Sequence, residues 1–251
     1  MSTEMKSAEL RAGDIHYNEL NNSIKAIAEK PGEIVVHEVY GQRYMGCGLK
    51  THTKLTVHGT LGNDSACYMD GATVEVFGNA QDGIANTMND GRLIVHGNCG
   101  DIMGYAMRGG EVFIEGYVGY RSGIHMKEYM DKVPLIVVGA KGGDFLGEYM
   151  AGGRIVVLGL GLAEGELSAG KFFGTGMHGG KMFIRGSVNE ALMGREIAQS
   201  PLDAEDEAFL KGVIKRYTDY FGADVSSVQI SDFKKYQPKS KRPYGNMYVG
   251  N

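Results

Sequence analysis

Two aspartates, Asp82 and Asp101, stand nineteen residues apart in one repeating position of this sequence, four residues after Gly78 and Gly97, with Asn63 and Tyr120 in the equivalent places on either side. Carboxylates held one strand spacing apart would raise one another's pKa if buried, and could then activate water or hold a cation. On a solvated rim the same pair does neither, and the pattern is read as a rim. The segment Gly174-Thr-Gly176-Met-His-Gly179 has the GxGxxG form that cradles a pyrophosphate, which needs a strand before it and a helix N-terminus after it. Here the strand-like Lys181-Met-Phe-Ile-Arg185 follows, so these glycines are assigned to a corner. His58 and His96 share a position but lie two repeats apart with Phe77 between them, too far to share a metal. His125 and His178 each adjoin a methionine and are expected to hydrogen-bond near turns. Cys47, Cys67 and Cys99 are odd in number and scattered, which argues against a disulfide framework or an iron–sulfur cluster. The basic stretch from Lys234 to Arg242 belongs to a chain of net charge -4 and is read as a solvated or partner-docking tail, not a nucleic-acid site. No catalytic, cofactor-binding or metal-binding residue is assigned.

A repeat of about nineteen residues would position all of these side chains. Gly59, Gly78, Gly97 and Gly116 recur at that interval, each after a short apolar or β-branched run: Leu55-Thr-Val57, Val74-Glu-Val76, Leu93-Ile-Val95 and Val112-Phe-Ile114. Ten residues after each glycine comes a methionine, at Met69, Met88, Met107 and Met126, so two columns agree on one register. Gly139, Gly159 and Gly186 close the later runs and Met150 and Met177 continue the second column, with about four residues added after Met126 and about eight within Leu160 to Phe173. Seven units are plain, and Glu33 to Gly48 forms an imperfect eighth. One short strand in about twenty residues fits a parallel β-helix; leucine is too sparse for a leucine-rich repeat, and a propeller blade needs about twice the period.

Equivalent residues in successive coils stack about 4.8 Å apart. The columns Leu55, Val74, Leu93, Val112, Leu135, Ile155, Met182 and Val57, Val76, Val95, Ile114, Val137, Val157, Ile184 are apolar and two residues apart, so they share a face and are predicted to line the interior. The column between them, Thr56, Glu75, Ile94, Phe113, Ile136, Val156, Phe183, faces outward yet turns apolar from the third unit. Either another polypeptide covers it, or a C-terminal helix does, beginning near Ser200-Pro201 with Phe209, Leu210, Val213, Ile214, Tyr217 and Phe221 at helical spacing before Gly222. The methionines read as flexible core fillers. The pairs Gly109-Gly110, Gly152-Gly153 and Gly179-Gly180 read as corners. The chain thus divides into an N-terminal helical lead-in over 1–32, a parallel β-helix of about 7–8 coils over 33–190, and a C-terminal helix and tail over 191–251 that packs on the β-helix or on a partner. No apolar run approaches the roughly eighteen residues of a membrane span and the N-terminus lacks a signal-peptide core. A cytoplasmic protein without membrane or nucleic-acid partners is expected.

These units, with the runs Gly123-Ile-His-Met-Lys-Glu-Tyr-Met130, Gly143-Asp-Phe-Leu-Gly-Glu-Tyr-Met-Ala-Gly-Gly153 and Gly174-Thr-Gly-Met-His-Gly-Gly180, resemble the GXGXG domain that closes the large subunit of glutamate synthase and stands as a separate protein in many archaea and anaerobic bacteria. The likeness runs through the acidic helix near Asp203 to Phe221 and the Arg242-Pro-Tyr ending. It implies a right-handed, single-stranded parallel β-helix. It also implies a non-catalytic scaffold subunit in a complex that turns glutamine, 2-oxoglutarate and reductant into two glutamates. The implied partners are a glutaminase subunit and a synthase subunit carrying FMN and an iron–sulfur cluster, in a hetero-oligomer, with no cofactor in this chain. The glutaminase needs an N-terminal cysteine, whereas this chain opens Met1-Ser2, and the flavin barrel needs alternating strands and helices that a repeat does not supply. The C subunit of formylmethanofuran dehydrogenase and a subunit of N-methylglutamate synthase resemble the same repeat and are the alternative complexes, though the insert Leu160 to Phe173 and the Arg242-Pro-Tyr tail favour the glutamate synthase type. A free-standing carbohydrate-active enzyme working through Asp82 and Asp101 would be expected to carry a signal peptide.

Overall fold

The structure, a computed structural model, describes residues 6–50 and 52–240. Nine strands follow one another side by side, all parallel: β1 (Lys6–Arg11), β2 (Gly32–Tyr40), β3 (Thr53–Thr60), β4 (Asp70–Phe77), β5 (Asp90–Val95), β6 (Glu111–Ile114), β7 (Leu135–Val138), β8 (Ala151–Val157) and β9 (Gly179–Arg185). Each coil returns to lay its strand against the previous one, and the result is an all-β parallel solenoid of several turns, as the columns predict. A helix lies near each end, α1 (Tyr17–Ala28) and α2 (Ala204–Phe221). Met69, Met88, Met107, Met126, Met150 and Met177 are completely buried, so the methionine column is core. Leu49 takes its place in the first coil, accepting the Asp70 N–H at 2.8 Å as Met69 accepts the Asn89 N–H at 2.9 Å.

Two boundaries differ from the expectation. The lead-in is not purely helical: β1 pairs with β2 from Lys6↔Gly32 to Arg11↔His37 and adds a strand before α1. Its alternation of Ala8 and Leu10 is too short to stand out as a period. The described part of the basic stretch is not a free tail either. After β10 (Ile197–Ser200), β11 (Phe233–Pro238) runs antiparallel to β9 and β10 and closes the last coil, so Lys234 and Lys235 are strand residues. The Lys241-Arg242 end of the basic stretch and the Arg242-Pro-Tyr ending lie outside the described residues.

The largest correction concerns β7. The glycine phase predicts Leu135 and Val137 inside, but Val112 pairs with Ile136 and Ile114 with Val138. Ile136 and Val138 join the inner core, while Leu135 and Val137 join Phe113, Val156 and Phe183 on the outer face. The insertion before β7 is therefore five residues, since Ile136 follows Val112 by twenty-four positions instead of nineteen. A one-residue slip exchanges the two faces of a strand.

That outer face is covered by the chain itself. Leu210, Val213 and Tyr217 of α2 pack on Phe113, Leu135, Val137, Val156 and Phe183 in a second hydrophobic cluster. Asp203 caps the helix, accepting the Asp206 N–H at 2.9 Å, while Asp206 accepts the Asp203 N–H at 3.2 Å; Gly222, at φ +61°, ends it. Tyr217 is 1% exposed and its hydroxyl donates to the Glu115 carbonyl at 2.8 Å, fastening the helix to the coil after β6. Burial pushes the Tyr217 phenol well above its ordinary pKa, so it stays a donor. Tyr217→Phe is expected to lower the unfolding free energy by about 1 kcal/mol in urea denaturation, the ordinary value of one such bond; an unchanged midpoint would mean that the bond adds nothing to the helix contact.

Candidate functional site

The aspartate column turns out to be built into the coil. Asp101 N–H donates to Asp82 Oδ1 and Tyr120 N–H to Asp101 Oδ1, both at 2.8 Å, with Asn63 accepting from Asp82 N–H at 3.2 Å and Asp144 from Lys171 N–H at 2.7 Å. Asn79 and Asn98 do the same three residues earlier in each coil, taking the N–H groups of Asn98 and Tyr117 at 2.9 and 3.1 Å. A Cβ on Gly100 or Gly119 would collide with the Oδ1 of Asp82 or Asp101, which explains the glycines beside them. Both carboxylates lie on the exposed rim and staple one coil to the next.

The GxGxxG segment is a corner. Gly174 and Gly176 have φ of +70° and +67°, the Gly176 N–H donates to Glu196 at 3.0 Å, and β9 follows. His178 Nδ1 meets the Gly176 carbonyl at 3.1 Å, the turn contact expected of it. His58 and His96 are parts of one ring stack, His37–His58–Phe77–His96, with centroids 4.9, 5.1 and 4.4 Å apart and Phe221 edge-on to His96 at 5.1 Å. His96 Nε2 also meets Glu75 at 3.1 Å. Among the described residues no group of three or more His, Cys, Asp or Glu side chains is placed to hold a metal ion. The tail lysines are structural: Lys234 pairs with Glu190 at 2.9 Å, and Lys235, 5% exposed, is bound by Asp206 and, at 3.4 Å, Asp203.

The feature that sequence reasoning missed is the third side of the coil. Five residues before each buried methionine begins a segment in which alternate residues have positive φ: Asp64, Ala66, Tyr68; Ile102, Gly104, Ala106; Arg121, Gly123, His125; Phe145, Gly147, Tyr149. Their N–H groups bond alternately to the next coil and the previous one, as Ile102 to Tyr120 O at 2.7 Å, Gly104 to Ile84 O at 2.8 Å and Ala106 to Ile124 O at 2.9 Å. The middle residue must be small, because a Cβ on Gly104 or Gly123 would press on the core at 2.7 Å from Ile136 or 2.8 Å from Ile155. The outer two face solvent, where glycine or asparagine is the least strained choice. This chain instead carries Tyr44, Ile102, Phe145 and Phe172 at the first place and Tyr68 and Tyr149 at the third.

The side chains there form an aromatic strip. Tyr68 is 58% exposed and Tyr105, Tyr120, Tyr149 and Phe172 between 37% and 41%. Tyr120, Phe145 and Phe172 follow one another at 5.4 and 5.1 Å, and His125 lies stacked on Tyr149 at 5.3 Å, so its surroundings are aromatic. The Arg121 guanidinium sits 4.9 Å from the Tyr120 ring and 5.5 Å from Phe145, and its Nε lies 2.9 Å from the buried carboxylate of Glu148. Rigid aromatics with a fixed arginine are the composition of protein–protein contact surfaces. The available signal was the residue just before each column methionine, which reads Tyr68, His125 and Tyr149 in three coils.

The profile of the GXGXG motif matches residues 14–242. The chain is 44% identical over 254 aligned positions to an uncharacterized protein of Methanocaldococcus jannaschii, covering 98% of this chain and 97% of that one. It is also 28% identical over 210 residues to glutamate synthase [NADH] of Schizosaccharomyces pombe, a match to 78% of this chain but 9% of that enzyme. With its Gly46-Cys-Gly48 and Gly174-Thr-Gly176 segments as equivalent corners near the two ends of one solenoid, this chain belongs to the GXGXG motif family.

Proposed function

We propose that this chain is the non-catalytic scaffold subunit of a glutamate synthase-type complex, bracing a glutaminase subunit and a synthase subunit that carries FMN and an iron–sulfur cluster. The observation that carries the reading is the aromatic strip. The inner face of the strands is core and the apolar outer face lies under α2, while among the described residues the strained corner face leaves a row of aromatic side chains open to solvent. Strained backbone that holds bulky side chains out to solvent marks a functional surface. The match to a small part of a much larger NADH glutamate synthase supports a role inside a larger assembly. Nine parallel strands span eight intervals, about 38 Å at about 4.8 Å each. A hydrogen-bonded rod of that length keeps two bound subunits at a fixed separation, which is what passing ammonia from one to the other requires.

Tagged protein purified from its native cell is expected to bring down a glutaminase and a flavin- and iron–sulfur-containing protein; recovery as an uncomplexed monomer would sink the proposal. Tyr68→Glu combined with Tyr149→Glu is expected to weaken that association about a hundredfold or more, since buried interface aromatics each contribute about 2 kcal/mol or more. Surface binding measurements on the folded variant would check it, and unchanged affinity would remove the strip from the interface.

A further inference from the structure

We propose that Cys47 and Cys67 are a reversible dithiol–disulfide pair that bolts the first coil to the second by exchange with a low-molecular-weight disulfide. Cys47 lies between Gly46 and Gly48, and Cys67 between Ala66 and Tyr68, in equivalent places of successive coils. The bonds on either side fix that register: Ala66 N–H to Met45 O at 2.8 Å and Gly48 N–H to Cys67 O at 2.9 Å. Residues so stacked have Cα atoms about 4.8 Å apart, inside the roughly 4.4–6.8 Å that a disulfide spans. Their sulfur atoms are 2.9 Å apart, and Asp64 O, 3.1 Å from Cys47 Sγ, is a second acceptor for the one Cys47 S–H proton. Cys47 is half-buried and Cys67 is 7% exposed, so the pair is reached from the aromatic face beside Tyr44 and Tyr68.

The local chemistry favours exchange. The Cys47 thiol, hydrogen-bonded to Cys67, is held protonated, and the same bond moves the Cys67 sulfur toward thiolate. The thiolate of the pair attacks one sulfur of the external disulfide, forming a mixed disulfide and expelling one thiolate. The second cysteine loses its proton and displaces the remaining thiol, closing the Cys47–Cys67 bond. Two cysteines are oxidised, the external disulfide is reduced to two thiols, and these take up the two cysteine protons. Cys99 serves as an internal control: it is 2% exposed, and burial pushes its thiol up to about 12, so it stays out of the exchange.

The test uses the full chain, reduced, then incubated natively with oxidised glutathione and quenched with acid. Thiols counted after denaturation are expected to fall from three to one, the intact mass to drop by about 2 Da, and a digest to join the peptides of Cys47 and Cys67. Cys99→Ser should behave the same, with two thiols falling to none. Cys47→Ser should lose the internal bond and stop at a glutathione adduct or a free thiol. Three thiols remaining in the parent, a bond that includes Cys99, or a disulfide between two copies would each overturn the proposal. Dithiothreitol should restore all three thiols, and failure to do so would overturn reversibility.

Discussion

Asp206→Ala is expected to lower the unfolding free energy by about 3–5 kcal/mol at neutral pH, because it leaves a buried cation without its partner. Asp206 is 2% exposed in the first turn of α2. Its carboxylate binds Lys181 of β9 at 2.7 Å and Lys235 of β11, and accepts the Asp203 N–H at 3.2 Å, so one side chain ties the start of the helix to two strands. Without it, Lys235 keeps only Asp203, at 3.4 Å. Lys235 is 5% exposed, so solvent does not make up the loss. Pairing Asp206→Ala with Lys235→Met should recover part of the deficit, since an apolar pair of similar volume tolerates burial.

The same carboxylate sets a pH signature. Burial alone would raise its pKa, but the hydrogen bonds from Lys181 and Lys235 and from the Asp203 N–H outweigh burial and hold it at about 2. Its folded pKa therefore lies below the unfolded value of about 3.9. The stabilisation is present above pH of about 4 and is lost as pH falls through about 2. Urea unfolding of parent and variant across that window should show the gap between them narrowing on acidification. A gap below about 1 kcal/mol at neutral pH, the range of an exposed pair, would mean that this ion cluster is solvated.

Gly59→Ala is the second large effect. Gly59 pairs with Val39 at φ +129°, and a Cβ there would collide with the Val39 carbonyl oxygen and lie 2.9 Å from its nitrogen. Those atoms are backbone in a paired strand, so no side chain can swing aside, and both strain and overpacking apply. A loss of about 3 kcal/mol or more is expected. Gly212→Ala should go the other way: it lies within α2 with nothing within 4 Å of its Cβ position. There the lost backbone freedom of the unfolded chain favours alanine by about 0.5–1 kcal/mol. Thermal melts of the two variants should move in opposite directions, and a Gly59→Ala variant as stable as its parent would show that β2 and β3 can part locally.

The solenoid was legible because a stacked coil repeats its environment. The columns through Leu55 and Val57, the buried methionines and the helix ending at Gly222 follow from period alone. The phase of β7 was not. Pro134-Leu-Ile-Val-Val138 is apolar at every place, because one face meets the core and the other meets α2. A strand buried on both faces has no alternation, and Gly139 offers a plausible but wrong anchor.

The residues with familiar chemistry were readable as types and not as partners. Asp82 and Asp101 are acidic in sequence, but only the coil shows their oxygens bonded to the N–H groups of the following turn. Cys47 and Cys67, twenty residues apart, become neighbours only once their coils stack. The aromatic strip depends on which side of the coil each corner residue faces, and that is set by backbone φ, which bulky residues do not advertise. By itself the amino-acid sequence determined the repeat, its strand and most of its core columns, because burial repeats with the period, and it offered a C-terminal helix as one of two covers for the outer face; the structure chose the helix. Tertiary structure decided the phase of β7, the thiol pair and the open aromatic face, because each depends on contacts between residues whose own types carry no period.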